Sequence, residues 1–451
     1  MNYGATFRTY NCRDVVGESD CFVSLKKDLE ELGQWEFYDA VTRPLAQAVF
    51  RMQMNGMPVD RGRKDALEAK KQESLRGLYG KLKPYGQIIG ETDFNPNSNP
   101  QVGKMLKEFG FHSGRLTDKG ALKADKEEII SALLATAGTE AQGLFSDIIT
   151  YREETKDLGT FLRPIVMWPD ERVRSSFLVT TRTGRLHSRK WETPWGIGPE
   201  FQNLPEDMRS IYCTPPGWEF VTADAMQLEL VIIANEAGVR AWLDAIARGD
   251  SIHIINMMNV MKVSKEEALH AKATKDRRYI TIKKFVFADN YWADLPTIQR
   301  QLLIESRLLI PMPELQQIMA AYRGFITEIE SWRNTVYPAA LTARSIKNRF
   351  GRLRTLFEPE DKIRGISVNH PIQSTGADFI NIGFIRLDRR NVEIVNQVHD
   401  EVVTICRTED CQRNREAILE TFDHKIPING KEVSVKMDVK HGRCWGEMEA
   451  F

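Results

Sequence analysis

Asp224 closes a short apolar run, Phe220-Val-Thr-Ala-Asp224, and Glu229 follows where a helical pattern begins. A carboxylate at a strand end can ligate a hard cation through oxygen beside a backbone carbonyl. The same residue type is also a common helix N-cap, so this segment alone leaves both uses open. A second acidic pair stands in Gln397-Val-His399-Asp400-Glu401, where two β-branched runs flank His-Asp as in a tight hairpin. The turn lacks glycine or asparagine, and two adjacent carboxylates at a tip repel unless a cation offsets them; a solvated hairpin tip is the plainer alternative. If neighbouring strands bring Asp224 and Asp400 together, they suit two divalent ions ~3.5–4 Å apart, the arrangement that serves phosphoryl transfer. Mg²⁺ fits because it takes few protein carboxylates and completes its shell with water and phosphates. Lys283, Phe287 and Tyr291 recur every fourth residue and so line one helix face. A cation, an aromatic platform and a phenol on one face suit a nucleoside triphosphate, although an ordinary amphipathic helix remains the simpler reading.

The elements that must position these residues are legible in outline. Leu45, Ala48, Val49 and Met52 recur at helical spacing, and Leu67, Leu75, Leu78 and Leu82 continue the pattern. The turn-rich segment Asp93-Phe-Asn-Pro-Asn-Ser-Asn-Pro100 interrupts it, and Ser98 offers the start of a new helix. A helix is expected over Asp28–Tyr38, and more helices over 125–165 and 228–348. Strands are expected at Val173–Thr180, Phe220–Ala223, Glu393–Val398, Glu401–Ile405 and Val433–Val439. The order is helices, strands, a large helical insertion, then strands.

The chain has 451 residues, 42% hydrophobic and 27% charged, which excludes a disordered tail or a collagen-like fibre. Its apolar runs, such as Leu230–Ala234, fall far short of a membrane span, and residues 1–14 carry no signal-peptide core. Cysteines 12, 21, 213, 406, 411 and 444 show no C-x-x-C pair and no histidine at zinc spacing. That argues against zinc and for free thiols in a reducing compartment. Net charge is zero, but its distribution is uneven. Residues 61–123 hold 13 basic against 7 acidic side chains, and 270–290 hold 6 against 2, whereas 391–451 hold 8 against 12. The zero total argues weakly against nucleic acid; the local basic stretches fit a polyanion, and the ordinary unevenness of a chain this size is an equal alternative.

Taken in order, these segments resemble the family A, DNA polymerase I-like, polymerases, and especially their phage members. Asp93-Phe-Asn-Pro-Asn-Ser98 is similar to the family's thumb segment. Thr183-Gly-Arg185-Leu-His-Ser188 and Gln202-Asn203-Leu-Pro205 resemble its primer- and template-contacting segments. Asp224 to Glu229 resembles motif A, the Lys283/Phe287/Tyr291 helix motif B, and Gln397 to Glu401 motif C, with Asn369-His-Pro-Ile-Gln373 between them. The resemblance covers about residues 40–451 and implies an α+β right-hand fold with an antiparallel-sheet palm and helical thumb and fingers. It implies a thumb, with the start of the palm, over 41–165, palm over 166–234, fingers over 235–338 and palm again over 339–451.

By position, the resemblance assigns two Mg²⁺ ions, with Mn²⁺ as a substitute, to Asp224, Asp400 and the Ala225 carbonyl, with Glu401 as acidic support. It assigns Lys283 to the triphosphate and to protonation of the leaving group, and Glu229 to exclusion of a ribose hydroxyl. Gln227, His253, Arg278, Phe287 and Tyr291 complete the dNTP contacts. Arg185, Gln202, Asn203, Asn369, Gln373 and His399 are assigned to primer–template DNA. The implied reaction is template-directed addition of dNTPs to a primer 3′-OH, by a monomer in the cytoplasm of a bacterial host or phage-infected cell, with no membrane role. A single-subunit RNA polymerase and a non-catalytic nucleic-acid-binding subunit are the competing functions. Departures from the family pattern are Ala225 for an aromatic, Val231 and Tyr279 for arginines, Ala288 and Trp292 for glycines, and a Trp- and Gly-containing insertion at 189–201. Tyr10-Asn-Cys-Arg-Asp14 resembles the last motif of the family's 3′–5′ exonuclease, making residues 1–40 the remnant of such a domain and its linker. A separately encoded exonuclease or a processivity factor is then an expected partner.

Overall fold

The computed structural model describes residues 3–111, 115–118, 120, 122–190, 192–193 and 196–451, without the side chains of 3–8, 192–193 and 196–197. Its centre is a five-stranded antiparallel sheet. Strand β1 (Trp218–Ala225) is flanked by β3 (Glu401–Arg407) on one side and β4 (Met437–Gly442) on the other. Strand β2 (Ile394–Val398) pairs with β3 across a two-residue turn, and β5 (Glu449–Ala450) closes the opposite edge beside β4. Phe220, Val221, Ala223, Val402, Val403 and Ile405 are buried, as β-branched and aromatic residues in a covered sheet should be.

Helices surround this sheet. Helix α1 (Arg61–Leu82) starts at Asp60, whose carboxylate accepts from the Arg63 N–H at 3.0 Å. Helix α2 (Glu140–Asp157) packs with the helices at Asn99–Glu108 and Lys126–Ala135 around Phe94, Met105, Leu106, Phe145 and Ile148. This core is separate from the larger one beneath the sheet. Ser98 caps its helix as expected, accepting from the Gln101 N–H at 3.4 Å.

The long helical insertion holds α3 (Leu228–Ala237), α4 (Ile252–Met261), α5 (Arg277–Asn290) and α6 (Leu295–Ser306). Helix α7 (Glu360–Arg389) then packs against α3 and α8 (Cys411–Thr421), and α8 lies against the sheet. At their junction a Cβ on Gly383 would sit 2.2 Å from the Phe422 ring, so only glycine allows this approach.

Several expectations are corrected. The expected helix over Asp28–Tyr38 is instead the end of a helix Tyr3–Glu31, a break at Gly33 (φ 62°) and the start, at Trp35–Phe37, of a second helix that runs on through Tyr38–Thr42 into Arg43–Asn55. Tyr10 to Asp14 lie exposed on that first helix. Val173–Thr180 divides into Arg172–Val173 and Ser176–Leu178, which pair with different partners. Val433–Val439 also divides: Lys431–Val433 forms a separate hairpin with Ile426–Ile428, and β4 begins at Met437. The cysteines are not all free thiols, because Cys213 and Cys444 form a disulfide. Sheet register sets them side by side across 231 residues of sequence, a proximity that local spacing cannot reveal. Among the described residues no helix is long and apolar enough to cross a membrane. Trp191 and Trp195 of the 189–201 insertion lie outside the described residues.

Candidate active site

The three inner strands bring acidic residues from distant parts of the chain to one end of the sheet. Asp224 is directly opposite Glu401 on β3 and Asp438 on β4, and directly opposite residues share a face. Asp400 is the second turn residue, after His399 at φ 54°, and its carbonyl accepts from the Ala225 N–H at 3.2 Å. Asp224 therefore does not cap α3; Gln227, in left-handed conformation at φ 52°, holds that place.

This crowding shows in the acidities. Burial, then the charges of Glu229 and Asp224, push the Asp400 carboxyl up to about 6, with Arg185 acting the other way. Asp224 keeps an edge open to the cleft, yet the surrounding protein and Asp438 raise it, partly offset by Lys440. Lys440 also pairs with Asp438 at 3.1 Å. Burial raises Glu401 as well, against the pull of Arg209 at 3.5 Å and the Trp445 indole N–H at 3.4 Å. Oxygen donors held at this cost at the mouth of a cleft fit a hard divalent cation, which would relieve their mutual repulsion.

Beside the carboxylates, α5 forms one wall of a cavity of about 790 Å³. Lys283, Phe287 and Tyr291 all line it, as the four-residue spacing requires, with Lys272, Lys275, Tyr279 and Asn369. The Tyr291 hydroxyl and the Arg185 guanidinium each donate to the Glu229 carboxylate, which fixes it between α5 and the chain preceding the sheet. His253 on α4 is buried 5.4 Å from the Phe287 ring. Burial, then Lys283 and Lys272, bring its imidazole down to about 4, so it is neutral at ordinary pH.

The sequence pattern of DNA polymerase family A matches residues 64–447. This chain belongs to that family. It is 25% identical over 442 residues to the thermostable DNA polymerase I of Thermus aquaticus, across 92% of this chain and 49% of that protein. Against DNA polymerase I of Lactococcus lactis the identity is 23% over 427 residues, 90% of this chain and 45% of the relative. The chain thus spans about half the length of the curated relatives it matches. Its fold is that of the POL domain of Pol1 from M. smegmatis, solved in complex with DNA primer-template and dNTP. The TM-score is 0.78 at 19% identity, covering 94% of this chain and 73% of that one.

Within this family A chain, the sequence-derived candidates separate into those lining the cleft and those supporting it. The Gln227 side chain accepts from the Ile252 N–H at 2.9 Å and so fastens the start of α3 to that of α4. Gln202 accepts from the Ser188 N–H at 2.8 Å and donates to Gln397 at 3.1 Å, bracing the strand that leads to Asp400. Asn203 donates to Glu200 at 2.8 Å, Gln373 is half-buried on α7, and His399 is exposed at the hairpin tip. Arg278 is turned to Asp276 at 3.1 Å, outside the cavity lining, whereas Lys275, the other cation near the absent arginine, is within it. Lys284 is paired with Glu305 on α6. Trp292 stands where the family commonly has glycine and takes φ 64°. Its ring lies under the Arg364 and Arg333 guanidinium groups at 4.3 and 5.6 Å, outside the residues that line the cavity.

Two features escaped the sequence reading. Asp438 was visible as an acid within an alternating strand, but only register shows that it faces Asp224. Buried Asp289 receives Arg323 at 2.8 Å and Arg333 at 3.1 Å, while the Tyr322 hydroxyl donates to Asn290 at 2.7 Å. This network anchors the end of α5, where Tyr291 must stand.

Proposed function

We propose that this chain is a template-directed DNA polymerase that adds dNTPs to a primer 3′-OH. The observation that carries the reading is the meeting of Asp224 and Asp400 at the sheet end beside the cavity of Lys283, Phe287 and Tyr291. In this reaction the primer 3′ oxygen bonds to the α-phosphorus and pyrophosphate departs. Asp224, Asp400 and the Ala225 carbonyl would hold two Mg²⁺ ions, which when bound supply charge neutralisation and activation of the attacking oxygen.

The remaining work falls to the chain's own side chains. Lys283 binds the triphosphate and supplies the proton to pyrophosphate, with Lys272 and Lys275 adding positive potential. Neutral His253 acts as a hydrogen-bond partner to phosphate, not as a charge. Glu229, fixed by Tyr291 and Arg185, occupies the space of a ribose 2′ hydroxyl. Asn369, Gln373 and His399 face the nucleic acid, and Gln202 supports the hairpin. We assign 41–165 to the thumb with the start of the palm, 235–338 to the fingers, and 166–234 with 339–451 to the palm. The separate core around Phe94 and Phe145 supports the first of these units. On the strength of the activity alone, we place the protein in the cytoplasm of a bacterial or phage-infected cell.

Primer extension with Mg²⁺ and either dNTPs or NTPs tests the reading. Template-matched extension with dNTPs is expected. No extension, or preferential use of NTPs, would overturn it.

A further inference from the structure

The reverse face of the same sheet assembles a second group of ligand-type side chains. Cys406 on β3 is directly opposite Glu219 on β1, and His441 on β4 is opposite Val221, two residues from Glu219. Direct pairing and a two-residue step both preserve the face, so Glu219, Cys406 and His441 project together. Cys411, the first residue of α8, closes over them. Its sulfur is 3.6 Å from that of Cys406 and 3.7 Å from a Glu219 oxygen, and the His441 Nδ1 is 2.7 Å from the same oxygen. The donor atoms of Glu219, Cys411 and His441 all lie within 4.8 Å of one another. Glu219 and Asp224 are an odd number of residues apart on an unbroken strand, so this cluster faces away from the carboxylates of the cleft, about 17 Å along the strand.

We propose that Glu219, Cys406, Cys411 and His441 form a structural Zn²⁺ site that fastens α8 to the back of the palm sheet. Two sulfurs, one imidazole nitrogen and one carboxylate oxygen make a four-ligand set of the kind zinc prefers, and the two thiolates disfavour Mg²⁺ or Ca²⁺. With Zn–S bonds of about 2.3 Å, a tetrahedron requires sulfurs about 3.8 Å apart, and a sulfur and an oxygen about 3.5 Å apart. The two separations from the Cys411 sulfur already match these edges, whereas Cys406, outside the group whose donors lie within 4.8 Å of one another, must swing inward to complete the set. The His441–Glu219 contact must open by about 0.6 Å as both turn from each other to the metal. Cys406 also borders an open groove with Asp410 and Asn414, which gives an ion a path inward. The Phe451 ring covers His441 at 4.4 Å, enclosing the other side.

Sequence spacing argued against zinc because the ligands come from three strands and a helix start, not from a local motif. The test titrates chelator-stripped, reduced, full-length protein with Co²⁺ as a spectroscopic probe and with Zn²⁺. One equivalent of Co²⁺ should produce thiolate charge-transfer and tetrahedral d–d absorption, both displaced by Zn²⁺. The Asp400→Asn protein should give the same spectrum, which separates this site from the cleft. Cys406→Ser and His441→Ala should each weaken binding by more than about 100-fold. Cys406→Ser is the safer variant because that residue is only half-buried. Absence of thiolate–Co²⁺ absorption in the wild type, or unchanged affinity in Cys406→Ser, would overturn the proposal. A Cys406–Cys411 disulfide in freshly isolated, metal-free protein would overturn it in favour of a redox pair.

Discussion

A carboxylate intended to exclude a hydroxyl must not move, and Glu229 has two donors that hold it. The Tyr291 hydroxyl, raised far above its ordinary acidity range by burial and by Glu229, stays protonated and donates; Arg185 donates to the other oxygen. Truncation should open the space and release both partners. Glu229→Ala is therefore expected to raise ribonucleotide relative to deoxyribonucleotide incorporation by at least about tenfold. Tyr291→Phe should give a smaller rise in the same direction, because the carboxylate remains but swings. Competitive single-nucleotide incorporation measures both, and an unchanged ratio in Glu229→Ala would place the discrimination elsewhere. Asp224 and Asp400 make a different demand, since the charge they help to balance develops in the transition state. Asp224→Asn and Asp400→Asn should each lower extension by about 10³-fold or more while duplex DNA binding, followed by fluorescence anisotropy, changes little. Parallel losses of binding and rate would mean that the two residues hold DNA instead.

Among the elements, α5 shows most plainly what sequence could and could not reveal. Its register was legible, since residues four apart share a face and Lys283, Phe287 and Tyr291 do line one cavity. What fixes the end of that helix was not, because Asp289, Arg323 and Arg333 meet only through tertiary packing. The sheet divides in the same way. The β-branched runs announced β1, β2 and β3, but the pairing of Asp438 with Asp224, and the Cys213–Cys444 disulfide, follow from long-range register. Trp292, in place of a glycine, takes a positive φ with two arginines over its ring and is not among the residues that line the cavity. Two adjacent lysines both line the cavity but differ in their partners: Lys284 is paired with Glu305, which lines it too, whereas Lys283 has no carboxylate partner among the described residues. Single-turnover incorporation on saturated primer–template should fall by about 10²-fold or more in Lys283→Ala and by only a few-fold in Lys284→Ala. Equal losses would mean that the two lysines share the triphosphate.

At the scale of the whole molecule, two sets of ionisable groups oppose each other in acid. Asp224, Asp400 and Glu401 are raised, so the folded state takes up protons there first and gains stability as pH falls. His253, His370 and His424 are each depressed to about 4, so the unfolded state is protonated first, near 6.5, and stability is lost as pH falls from there towards 4. The histidine contribution can be isolated at His370, which is fully buried on α7 with both ring nitrogens unpartnered among the described residues. Burial, then Arg354 and Arg352, disfavour its protonation. Above about pH 6.5 the ring is neutral in both states and contributes no pH dependence; at about pH 5 it should cost about 2 kcal/mol. His370→Leu retains comparable bulk but cannot be protonated. Its stability loss between about pH 7.5 and about pH 5 should therefore be smaller than that of the wild type by about 2 kcal/mol, whatever its absolute stability at the higher pH. Denaturant melts at the two pH values measure the difference. If both proteins lose the same amount, His370 takes its proton equally readily in the folded and unfolded states, and the acid sensitivity belongs to other groups.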